Sequence, residues 1–308
     1  MNIQKIVIIS LLFVSSVLFL TSAAKAQESE IDRIIKEVSV NTQKGAISNY
    51  TYFMKFSYER HKKFAGRKFT RLYEAILPAK FSTNRIYRHQ LVLLQDSEKD
   101  IPEVDIMNAR KELAKELEKA ENDADKQAVQ EEPNDDGGYW AVAFSTDGRS
   151  VKVDVLQLLK NTRLSNLQRR QIDGKSLVTI DFTPKTEAVL EKSLAYLSKI
   201  EGQILIDETD KRIIRIEGFA PGEFVKQKDK TDAERQKEMV FLFLQSKVFE
   251  GFWFPQTVWV NFAKHPEIFE TIEVQFNFSK YKKANVDVQD AIDTPKERGG
   301  TTTVEKQN

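Results

Sequence analysis

The 308-residue chain carries 47 basic against 46 acidic side chains, has no cysteine, and is 41% hydrophobic and 10% aromatic. No disulfide, thiolate nucleophile or zinc-thiolate site can therefore exist. The even charge leaves no global electrostatic footprint for nucleic acid.

The amino end reads as an address. Asn2 to Lys5 are a short cationic start, Ile6 to Leu20 are apolar apart from three serines, and Ala24-Lys25-Ala26 is a small-x-small cleavage pattern. A helix of roughly 15 residues at about 1.5 Å each reaches roughly 22 Å, short of the roughly 30 Å hydrocarbon core of a bilayer. The expectation is a signal peptide over 1–26 and an exported, soluble chain from Gln27, with no later transmembrane span.

Ile31, Ile34, Ile35 and Val38 follow Ser29 at helical spacing, which predicts an opening amphipathic helix. Tyr50, Tyr52, Met54, Phe56 and Tyr58 then alternate with mostly polar neighbours, the period of a half-buried strand. Further strands are expected near Lys68 to Leu77 and Arg85 to Gln95. Asp96 to Asp136 breaks the rhythm as an inserted helix with a loose tail. It holds 15 acidic and 6 basic residues, whereas Lys55 to His89 holds 10 basic and 2 acidic, so the two are expected either to dock on one another or to remain solvated. A short helix is expected at Val151 to Leu159, then a hairpin of Thr162 to Ile172 with Leu177 to Thr183 turning at Asp173-Gly174. Val178, Ile180 and Phe182 mark its buried face. A second long helix with the stripe Val189, Leu190, Leu194 and Leu197 precedes strands at Gln203 to Ile206 and Ile214 to Ile216. Three long strands follow, near Lys237 to Val248, Thr257 to Phe262 and Thr271 to Lys280. Residues 291–308 are polar and expected to be a disordered tail. Nine or ten consecutive strands without regular strand–helix alternation specify an α+β, mainly β fold. The form expected is a single curved antiparallel sheet, a half-open β-barrel over 27–290, with helices covering its concave face.

Chemical motifs are missing. His61, His89 and His265 lie in no zinc-helix pattern, and no nucleophile elbow, phosphate loop, dinucleotide fingerprint or EF-hand spacing occurs. The expectation is no catalysis, no metal and no cofactor. What stands out is aromatic: eleven Phe and Trp residues between Phe241 and Phe278. Core packing is the plainer account, and a greasy cavity is the functional one. A strand in which Val240, Leu242, Leu244 and Val248 lie opposite Phe241 and Phe243 needs cover on both faces.

The run Leu177-Val-Thr-Ile-Asp-Phe-Thr-Pro184, a helix, Gly202-Gln-Ile-Leu-Ile-Asp207, a four-residue turn and Arg212-Ile-Ile-Arg-Ile-Glu-Gly218 resembles the LolA, LolB and RseB superfamily of periplasmic lipoprotein-handling proteins, and within it proteins named for outer membrane lipoprotein sorting. The resemblance extends over roughly Ile31 to Val286. It implies a half-closed barrel whose concave apolar surface accepts acyl chains of lipids or lipoproteins, without catalysis. The acidic insertion departs from the minimal carrier pattern, and no one arginine corresponds to the lid arginine of the lipoprotein chaperone.

Two functional expectations result. The first is a non-enzymatic periplasmic carrier or sensor that binds an acyl chain against Phe182, Ile204, Ile206, Ile214, Ile216, Phe241, Phe243, Val274, Phe276 and Phe278. The alternative is an envelope protein-interaction module whose core is filled by its own side chains and whose acidic helix or cationic strands recognise a protein partner.

Overall fold

The computed structural model describes residues 27–41, 50–62, 66–76, 90–127, 141–146, 149–187, 189–190, 192–249, 251–263 and 270–283. The expected signal peptide and carboxy-terminal tail lie outside the described residues.

Ten strands form one antiparallel sheet. An amino-terminal meander, β1 (Tyr50–Lys62), β2 (Arg67–Ile76) and β3 (Gln90–Asp96), joins a carboxy-terminal one made of β6 (Thr162–Ile172), β7 (Lys175–Pro184), β8 (Glu201–Asp207), β9 (Arg212–Phe219), β10 (Phe241–Phe249), β11 (Phe252–Ala263) and β12 (Glu270–Lys283). Their order is β3-β2-β1-β12-β11-β10-β9-β8-β7-β6, so the sheet is open, with β3 and β6 at its edges. The one non-sequential neighbour pair is β1 with β12. Both strands alternate apolar residues, and the register matches them: Met54 faces Phe278, Phe56 faces Phe276 and Tyr58 faces Val274. The Phe56 and Phe276 ring centroids are 5.0 Å apart. Cross-strand aromatic pairing of this kind supplies the register that no short turn can impose here.

The inner face of the sheet is covered by helices. α1 (27–41) buries Ile31, Ile34 and Val38; α3 (Val155–Asn161) buries Val155, Leu158 and Leu159; a 3₁₀ segment (Lys192–Lys199) buries Leu194, Tyr196 and Leu197. Asp154 caps α3, its side chain accepting the Gln157 amide at 3.0 Å. The connection from β9 to β10, comprising α4 (Phe224–Gln227) and α5 (Asp232–Glu238), is part of a second, smaller core with Phe219, Phe224, Met239, Leu242 and Trp259. It covers the outer face, so the helices are not confined to the concave side. The double cover required by a strand apolar on both faces is met in this way.

Several boundaries differ from expectation for identifiable reasons. The third strand begins at Gln90, and residues 77–89 lie outside the described residues. The expected helix at 151–159 is split at its cap: β4 (Ala141–Thr146) and β5 (Arg149–Asp154) form a separate hairpin, and the helix starts only after Asp154. The expected long helix around 189–197 is replaced by a 3₁₀ segment over Lys192–Lys199 in which Leu194 and Leu197, three residues apart, are buried; Val189 lies before it and is fully exposed. The expected strand from Lys237 starts at Phe241 because 232–238 is α5. α2 (Glu103–Gln127) occupies the acidic insertion and packs on β3. Asp96 and Glu98 do pair with Arg71 and Arg67 of β2, at 2.9 and 2.8 Å. The helix itself is tied in the opposite sense, by Arg110 to Glu74.

Candidate functional site

Nine of the ten residues expected to line a concave apolar surface share one buried cluster. Phe182, Ile204, Ile206, Ile216, Phe243 and Val274 are fully enclosed, and Phe241, Phe276 and Phe278 nearly so. The exception is Ile214. Between β8 and β9 the register shifts at Leu205/Ile206, so that Ile204 faces Ile216 but Ile206 faces Ile213. This bulge puts Ile213 in the cluster and leaves Ile214 out of it. A period-two count carried through an uninterrupted strand cannot detect that extra residue.

α1 is one element of this cover. It reaches the core through three buried side chains, with Ile35 packed beside them. Polar ties run along its length. Gln27 donates to the Leu167 carbonyl at 3.3 Å, Arg169 to Glu30 at 2.7 Å, and Lys211 pairs with Glu37 at 3.3 Å. Arg169 also donates to Glu208 at 2.9 Å, and Ser176 Oγ donates to the same carboxylate at 2.6 Å. These bonds hold the Glu208 carboxyl below its ordinary value, the Ser176 hydroxyl first and Arg169 second. The Glu30 carboxyl is lowered mainly by its bond to Arg169.

At one end of the cluster, Tyr50 stacks on Phe249 at 5.6 Å and meets Phe254 edge-on at 4.7 Å; Phe254 in turn stacks on Tyr281. Phe249 and Phe252 at the β10–β11 turn remain partly exposed. Burial pushes the Tyr52 and Tyr281 hydroxyls up, so both stay protonated at neutral pH.

The outer face carries a polar arrangement that sequence reasoning did not single out. Asp181, Gln203 and Glu217 line up across β7, β8 and β9, and Thr179, Leu205 and Arg215 form the neighbouring row. Asp181 accepts Lys228 at 2.7 Å, Asn166 at 2.7 Å and Gln203 at 3.1 Å. Glu217 accepts Arg235 at 2.6 Å with one oxygen and pairs with Arg215 through the other. A groove of about 270 Å³ opens between these rows and α5. Its signal in the sequence is the charged and polar residues on the strand face that ordinary alternation assigns to solvent. Thr179, Asp181 and Glu217 are instead buried, because the β9–β10 connection folds back over them.

No family model and no curated protein matches the chain. Among solved structures, a domain from Vibrio parahaemolyticus described as an outer membrane lipoprotein-sorting protein aligns over 85% of this chain and 95% of its own, at 8% identity and a TM-score of 0.34. A LolA superfamily protein from Nitrosomonas europaea aligns over 81% of this chain and 93% of its own, at 8% identity and a TM-score of 0.29. The MucA/MucB complex of Pseudomonas aeruginosa supplies a chain that aligns over 80% of this chain and 98% of its own, at 7% identity and a TM-score of 0.20. Among the described residues, no helix is long and apolar enough to cross a membrane.

Proposed function

We propose that the protein is a non-enzymatic periplasmic binding protein that takes an acyl chain into the inner face of its sheet by exchange with α1. The observation that supports this is the narrow hold of α1 on the core, three buried aliphatic side chains with Ile35 packed beside them. Burying Ile31, Ile34 and Val38 stabilises the closed form by about 5–9 kcal/mol, at roughly 1.5–3 kcal/mol per side chain, an upper estimate. A chain of about fourteen methylenes contributes about 11 kcal/mol at roughly 0.8 kcal/mol each. An acyl ligand can therefore replace the helix, whereas the ion pairs at Glu30 and Glu37 are exposed, screened by salt and add little resistance.

The test is uptake of a fluorescent fatty acid by the chain from Gln27 and by its Ile34→Asp variant. A charge at position 34 weakens the closed form and should tighten binding. Absence of uptake by both proteins, each shown to be folded by circular dichroism, would overturn the reading. It would leave an interaction module with a self-filled core, a reading favoured by the near-complete burial of the nine inner-face residues.

A further inference from the structure

We propose that the outer-face groove between β6–β9 and α5 is a binding site for an oxyanion, a carboxylate or phosphate group carried on a short apolar stem. The site lies on the face opposite the acyl surface and does not depend on it.

The donors are already placed. Glu217 is buried, and each of its carboxylate oxygens is taken by one guanidinium, Arg215 on Oε1 and Arg235 on Oε2. Each arginine keeps further N–H groups, and the Nε of both is buried with no acceptor among the protein atoms. Thr179, 7% exposed, lines the same groove, and its hydroxyl is likewise buried without a partner. Buried donors left unmatched are costly, and here three of them belong to residues that line one groove. Oxygen atoms satisfy guanidinium N–H groups and a threonine hydroxyl together, and planar guanidinium donors suit carboxylate and phosphate.

Charge selects the same class. Arg170, Arg215 and Arg235 line the groove against Glu217 and Asp232, so a cation is disfavoured and a single negative charge balances the site. The arginines are also held in place. Arg235 lies on α5 with its guanidinium 5.8 Å from the Phe219 ring centroid, and the Glu234 carboxylate ties down the start of the helix by accepting the Thr231 amide at 3.0 Å. Arg215 stands in a central strand between Leu205 and Leu244. Preorganised donors lose little freedom on binding.

The stem follows from the rest of the lining. Leu177 and Leu205 form an apolar floor and Ile172, 49% exposed, stands at the open end beside Arg170. A short apolar stem would lie against these three side chains while the charged end meets the arginines. A cavity of about 270 Å³ admits a head and a few carbons, not a long chain.

Isothermal titration calorimetry of the chain from Gln27 with octyl phosphate, octanoate, inorganic phosphate and octanol tests this directly. Octyl phosphate and octanoate should bind, inorganic phosphate should bind about tenfold more weakly for want of the stem, and octanol should not register. Arg235→Gln and Thr179→Val should each weaken octyl phosphate about tenfold or more, with unchanged circular dichroism. Should Arg235→Gln fail to fold, Thr179→Val and the methyl resonances of Thr179 and Leu205 in the unaltered protein still decide, since both must shift on titration. Anion binding unaffected by Thr179→Val with those resonances unmoved would overturn the proposal, as would no heat from any of the three anions. Inorganic phosphate binding as tightly as octyl phosphate would overturn the apolar stem.

Discussion

Phe182 stands against its cross-strand partner Gly202 so closely that a β-carbon at position 202 would lie 3.0 Å from the ring's Cε1 and 1.8 Å from the Glu217 carbonyl oxygen. An aromatic ring over a strand glycine fills the space that the missing side chain leaves. Gly202→Ala forces β8 and β9 apart at the point where Gly202 faces Gly218. The expected loss is about 2–3 kcal/mol, as for other overpacked cores, read as a lower urea midpoint at unchanged slope.

Truncation of the inner face should be costlier still. Phe243 is fully enclosed and faces Ile216 on β9 and Val258 on β11. Phe243→Ala removes a ring from the middle of the sheet and leaves a cavity that two flanking strands cannot close. A loss of about 3–5 kcal/mol is expected from the urea transition. A loss below about 1 kcal/mol would show that the core is loosely packed there.

Arg169 joins α1 to the β8–β9 turn through Glu30 and Glu208. Arg169→Gln should raise amide exchange across 27–41 only slightly, by about twofold for a solvent-screened tie worth a few tenths of a kcal/mol, while leaving exchange in β7 and β8 unchanged, measured by hydrogen–deuterium exchange with mass spectrometry. Equal protection in both proteins would mean that the apolar stripe alone holds the helix.

Acid should release the same tie. The carboxyl of Glu208 is held below its ordinary 4.5 by Ser176 first and Arg169 second, so its contribution is fully present above about pH 4.5 and is lost as pH falls through the lower folded value. Unfolding free energy should therefore fall less steeply below about pH 4.5 in Glu208→Gln than in the unaltered protein. Parallel pH profiles from chemical denaturation would contradict this.

Much of the architecture was legible because it rests on local periodicity. Alternation in Tyr50–Tyr58 and Ile272–Phe278 specified both strands and their buried face, and Asp173-Gly174 specified the β6–β7 turn, where both residues have positive φ, 51° and 75°. The same logic failed at Ile214, where a bulge interrupts the count, and at Val189, which lies outside the 3₁₀ segment that begins only at Lys192. It also failed at Lys237, where charged residues just before an apolar strand belong to α5.

The sequence by itself determined that the chain is a mainly antiparallel β protein without cysteine chemistry, and which strand faces are apolar, because side-chain period and residue type are properties of neighbours along the chain. Only the tertiary structure decided that β1 closes on β12, that the apolar face is filled by α1, α3 and the 3₁₀ segment, and that Arg215, Glu217 and Arg235 line one groove with Thr179. Each of these depends on contacts between segments distant in sequence, and the free energy that selects among such pairings comes from burying two surfaces at once, which neither segment encodes alone.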